Sequence, residues 1–149
     1  MKAFKSVIAT VIIVATMLCL VSCSSAYGAV QAAFEKEGFV ENTDFTSVVD
    51  AIKEELEREE YAIELHLLTK SGSLLSALVI EFKTTTEMVE ALEESATLKG
   101  LVTDISNDEN VNKVYESLQE HGYAHKNCLI VPLSVLRADT ITDIVKGMN

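Results

Sequence analysis

The chain has 149 residues, with 23 Asp and Glu against 12 Lys and Arg and a formal net charge of −11. That length suits one domain with a real core and is too short for two. The acidic balance excludes nucleic acid and anionic lipid headgroups as partners, because both repel such a surface, and leaves a basic partner, a cation or plain solubility.

Lys2 and Lys5 precede an apolar run from Val7 to Val21, and no charge follows until Glu35. The run falls short of the ~20 apolar residues that cross a bilayer and has the proportions of a signal peptide. It closes on Leu20-Val21-Ser22-Cys23. This stretch resembles the lipobox of bacterial lipoproteins. The resemblance covers only the leader. It implies that the Cys23 sulfur accepts a diacylglycerol, that cleavage makes Cys23 the first mature residue, and that the domain lies on the extracytoplasmic face of a bacterial membrane. A thiolate suits that alkylation because it is the strong nucleophile among side chains. One acyl chain binds marginally and two bind stably, so the lipid alone anchors the chain.

On this reading residues 1–22 are the cleaved signal peptide, 23–28 the lipidated cysteine with a short tether, and 29–149 the extracytoplasmic domain. Losing Lys2 and Lys5 takes the side-chain charge from −11 to −13. A tether of that length spans at most ~20 Å. Cys19 leaves with the leader. Cys128 then has no partner for a disulfide within the chain and reads as a small buried hydrophobe.

The mature chain opens with a helix from about Ala29 to Glu37, buried through Val30, Ala33 and Phe34 and stopped by Gly38. Phe39-Val40 fits a short edge strand. Phe45, Val48, Val49, Ile52 and Leu56 repeat at helical spacing, with Asn42 or Thr43 as N-cap. The opposite face is acidic, with i,i+4 pairs available at Lys53–Glu57 and Glu54–Arg58. Tyr61 to Leu67 alternates as a strand, Ser71-Gly72 turns the chain, and Leu74 to Lys83 returns. Leu78, Ile80 and Phe82 on one face and Leu75, Ala77 and Val79 on the other predict a central strand buried on both sides.

Thr84-x-x-Glu87 resembles a capping box for a helix reaching about Leu98, with Gly100 as stop. A helix from Asp108 to Glu120 buries Val111, Val114, Tyr115 and Leu118 and ends at Gly122. Cys128 to Val131 reads as a third strand, and Pro132 marks its end or an edge. A last helix starts near Asp139. The sum is an α+β fold in one domain: three or four mostly antiparallel strands with several helices, in the order α-α-β-β-α-α-β-α.

Few residues in the chain offer the makings of a site. The loop Asp104-Ile105-Ser106-Asn107-Asp108-Glu109-Asn110 is rich in oxygen ligands. It carries Glu109 where a calcium loop needs Gly and Tyr115 where it needs Glu, so a turn and N-cap is the better reading. His121, His125 and Cys128 form H-x3-H-x2-C, ligand types that zinc accepts, but no fourth ligand stands at motif spacing. Cys128 opens an apolar strand rather than a helix N-terminus, which argues against a thiol nucleophile. His66 reads as a surface or rim residue. Nucleophile elbows and phosphate-binding loops are lacking in the sequence, and no cofactor is expected.

The functional expectation is a lipid-anchored binding or accessory module of the cell envelope. Its partners are the membrane, through lipid on Cys23, and a basic envelope protein or peptide met by the acidic face Asp50, Glu54, Glu55 and Glu57. The alternatives are an extracytoplasmic hydrolase and a lipid-anchored inhibitor or immunity-type protein.

Overall fold

The computed structural model describes residues 25–102, 104–105, 109–134 and 136–149. Among them the elements are α1 (Ala26–Lys36), β1 (Phe39–Asn42), α2 (Ser47–Arg58), β2 (Ile63–Lys70), β3 (Ser76–Phe82), α3 (Thr85–Glu94), α4 (Ala96–Leu101), α5 (Val111–His121), β4 (Ala124–His125), β5 (Cys128–Pro132) and α6 (Ala138–Lys146). The strands form one sheet in the order β1-β2-β3-β5-β4, and every neighbouring pair is antiparallel.

The apolar alternation of β3 decides the layering. Leu78, Ile80 and Phe82 pack with Val49, Ile52 and Leu56 of α2, Met88 and Leu92 of α3, and Val114 and Leu118 of α5. Ala77 and Val79 point the other way, into a second core with Val30 and Phe34 of α1 and Ile141 and Val145 of α6. Helices therefore cover both faces, and a strand that is apolar on both sides has to lie in the middle. Each large side chain fully buried in this way contributes roughly 1.5–3 kcal/mol.

The α+β class and the central position of β3 match the sequence reading. The strand count and order do not: the sheet has five strands, and the order is α-β-α-β-β-α-α-α-β-β-α. The unforeseen strand, β4, has only two residues and pairs through Ala124–Leu129 and His125–Cys128. So short a strand shows no alternation to detect. Pro132 stands at the end of β5, opposite Ala77 of β3.

Several helix boundaries also move. α1 begins at Ala26, three residues before the expected start, with Ser25 Oγ accepting from the Gly28 N–H at 3.0 Å. Ala26 and Tyr27 are themselves buried, so packing draws residues 26–28, expected in the tether, into the helix. Asn42 is the last residue of β1, not a cap; its Oδ1 accepts from the Asp44 N–H, and Thr46 precedes α2. Phe45 and Val48, expected inside, are exposed.

The capping box is present, with Thr84 Oγ1 accepting from the Glu87 N–H at 3.1 Å. The helix it starts stops at Ser95. This residue adopts an extended backbone and caps a separate helix, its Oγ accepting from the Leu98 N–H at 3.1 Å. Gly100, expected as a stop, lies within α4. Ser95 Oγ also donates to Glu55 Oε1 at 2.7 Å. Ser95→Ala removes both bonds at a site that is only 5 % exposed. The expected cost is about 1–2 kcal/mol, read as a shift of the urea unfolding midpoint at unchanged slope.

Candidate functional site

Side chains alternate along β2, so Ile63 and Leu65 pack into the α2 core while Glu64 and His66 face the α1 side. The antiparallel register sets Glu64 opposite Glu81 and His66 opposite Val79. Glu41 of β1 pairs with Leu68, two residues beyond His66, and so reaches the imidazole along the same face. The first turn of α1 closes over this patch. The Tyr27 ring stacks on the His66 ring with centroids 3.4 Å apart and planes within 8°.

His66 Nδ1 lies 2.8 Å from Glu41 Oε1. An ionised carboxylate only accepts, so Nδ1 carries the proton and donates. His66 Nε2 is buried and has no hydrogen-bond partner among the described residues. Glu64 Oε2 stands 4.0 Å from it, too far for a hydrogen bond. One oxygen from Glu64, one from Glu81 and a His66 nitrogen all lie within 4.8 Å of one another. The Tyr27 N–H donates to Glu81 Oε1 over 3.5 Å, which leaves Glu81 a second oxygen. Burial first, and then the Glu41 carboxylate, drive the Tyr27 phenol far above its ordinary pKa, so the ring over His66 stays neutral. The arrangement offers an oriented imidazole lone pair between two carboxylates. Glu64, His66 and Glu81 are the side chains here that could hold a metal ion.

A cleft of about 350 Å³ lined by Ser25, Ala62, Glu64, Glu81, Lys83 and Asn127 opens beside this cluster. A second cleft, of about 430 Å³, lies at the other end of β3, between the β2–β3 turn and the segment after β5. Leu74 (92 % exposed) and Leu136 (79 %) stand at its rim with Arg137. Ser134 Oγ donates to the Leu74 carbonyl and holds the two segments together.

The residues singled out in the sequence separate. His121 Nδ1 lies 2.8 Å from the Ser117 carbonyl oxygen, at the end of α5, and His125 Nδ1 lies 2.9 Å from Asn149 Oδ1. Cys128 is a cross-strand neighbour of His125 but is fully buried. Burial, then the Glu81 carboxylate, push its thiol up to about 12, so it stays protonated and unreactive. These three residues do not come together as ligands; among the described residues Glu64, His66 and Glu81 do. His66, read from the sequence as a surface or rim residue, is partly exposed, its side chain 16 % accessible beneath Tyr27.

On α2, Asp50, Glu54 and Glu57 are exposed, whereas Glu55 is partly covered and bonded to Ser95. Hydrogen bonds from Thr97 and Ser95 hold the Glu55 carboxyl below the usual range. Glu55 thus serves the start of α4 rather than the open acidic face. Lys53 pairs with Glu57 at 3.9 Å, but Arg58 Nε donates to the Glu54 backbone carbonyl in place of its carboxylate. Leu20, Val21, Ser22 and Cys23 lie outside the described residues, as do Ser106, Asn107 and Asp108 of the oxygen-rich loop.

No protein-family model matches the chain, and no curated protein or solved structure matches it either. Among the described residues no helix is long and apolar enough to cross a membrane.

Proposed function

We propose that this chain is a bacterial lipoprotein, anchored through lipid on Cys23 to the extracytoplasmic face of a membrane, that works as a binding or accessory module of the cell envelope. The lipobox resemblance supports the anchor. With α1 starting at Ala26, only Ser24 and Ser25 stand between Cys23 and a helix whose Val30 and Phe34 are buried. That stretch reaches at most about 11 Å, so the Ser25 end of the domain lies against the bilayer.

The observation that carries the binding reading is the cleft rimmed by Leu74 and Leu136. It sits at the far end of β3 from Ser25, about 20 Å away at ~3.3 Å per residue. Two leucines so exposed, gathered at one cleft rather than scattered, form a contact surface directed away from the membrane. Asp50, Glu54 and Glu57 supply a second surface, suited to a basic envelope protein or peptide.

The test is photo-crosslinking in cells from position 74 and from position 54, with mass spectrometry of the products, in the native chain and in Cys23→Ala. A discrete envelope partner is expected from position 74. The Cys23→Ala chain is expected to accumulate as an uncleaved precursor without diacylglycerol. Normal processing of that variant overturns the anchor. Crosslinks from position 54 alone move the contact to the acidic face, and none from either position ends the binding reading.

A further inference from the structure

We infer that Glu64, His66 and Glu81 form a binding site for a divalent transition metal of the zinc class. Zinc takes imidazole nitrogen and carboxylate oxygen at about 2.0–2.2 Å, and these three side chains supply one nitrogen and two oxygens. Imidazole in the donor set favours such an ion over calcium or magnesium, which prefer oxygen alone.

The histidine is prepared for this role. Metal-ligating histidines hold the other ring N–H on a carboxylate, carbonyl or water, which fixes the tautomer and the ring orientation. Glu41 does that to His66 Nδ1 at 2.8 Å, while the stacked Tyr27 ring restricts rotation from above. The remaining nitrogen, Nε2, is buried without a hydrogen-bond partner among the described residues. A buried lone pair with no donor needs an explanation, and a cation provides one.

Charge points the same way. Glu41, Glu64 and Glu81 converge on one imidazole, and a divalent ion offsets their mutual repulsion. Around an ion with such bond lengths, ligand atoms sit about 3.4 Å apart, so the observed group has to contract by about an ångström. The Glu64 side chain is 78 % exposed and free to make that movement. Three protein ligands leave a fourth position, and the adjoining cleft lined by Ser25, Ala62 and Asn127 gives it room for water or a small oxygen ligand.

The decisive measurement is calorimetric titration of the untagged full chain, stripped of metal and held in detergent micelles, with zinc and separately with calcium. One zinc per chain is expected, with micromolar or tighter affinity, and calcium at least about 100-fold weaker. His66→Gln and Glu64→Gln should each weaken zinc by about 10-fold or more, Glu41→Gln by about 10-fold, and His121→Gln not at all. Glu64 is so exposed that Glu64→Gln keeps the fold even where His66→Gln does not. Cobalt in place of zinc should give the intense visible bands of a four-coordinate site. Absence of zinc binding, equal affinity for calcium, or zinc affinity unchanged in Glu64→Gln each overturns the site.

Discussion

Gly122→Ala should destabilise the domain by on the order of 3 kcal/mol or more, read from urea unfolding. Gly122 ends α5 at φ +78°, a left-handed conformation that costs other residues about 1–3 kcal/mol. Space forbids the substitution as well. An added Cβ would lie 2.3 Å from the Thr142 carbonyl oxygen and 2.8 Å from its carbon, both backbone atoms of α6. Backbone cannot swing aside as a flexible side chain can, so α6 must lift from the core it shares with α1. Gly100→Ala is the internal contrast. It lies within α4 with open space around it and no positive φ, so alanine there should stabilise by about 0.5–1 kcal/mol.

The second large effect is a loss of stability in alkali. Burial, reinforced by Glu81, moves the Cys128 thiol from 9.0 to about 12. Below pH 9 folded and unfolded chains both hold that proton. Between pH 9 and 12 the unfolded chain releases it while the folded chain keeps it, so stability falls as pH rises. Each pH unit then costs up to about 1.4 kcal/mol for this one group, or on the order of 4 kcal/mol across the window. Tyr27, Tyr61 and Tyr115 are raised too, in each case by burial first, and add losses of the same sign above pH 10. A series of urea titrations from pH 8 to 11 should show the fall, with a shallower slope in Cys128→Ala. A flat profile would show that the thiol titrates normally and is not buried as described.

How much of this was legible in the sequence depends on whether a feature is local. The two apolar faces of β3, the Thr84 cap and the Gly122 stop could be read because each is written within a few neighbouring residues. Ser95 was not, because a capping serine inside a continuous helical pattern shows itself only when Glu55, 40 residues earlier, is found bonded to it. The imidazole–carboxylate cluster was missed for a related reason. Its members come from two strands and carry no motif spacing, and the tyrosine above them comes from a helix far away in sequence. A signal did exist. A hairpin turning at Ser71-Gly72 with the observed register puts Glu64 beside Glu81, and alternation then puts His66 on the same face. Conversely, H-x3-H-x2-C has suggestive spacing, yet a glycine in left-handed conformation and a two-residue strand send its members to different partners.

The way α1 enters the domain has a mechanical consequence. Among the described residues the fold begins at Ser25 and the first turn of α1, where Tyr27 lies over His66. The helix then runs from that point to Phe34, which meets Phe39 of the edge strand edge-on with ring centroids 5.1 Å apart. Force applied at Ser25 therefore bears first on the Tyr27–His66 stack, and through it on the Glu64–His66–Glu81 cluster, before it reaches Phe34 and the edge strand.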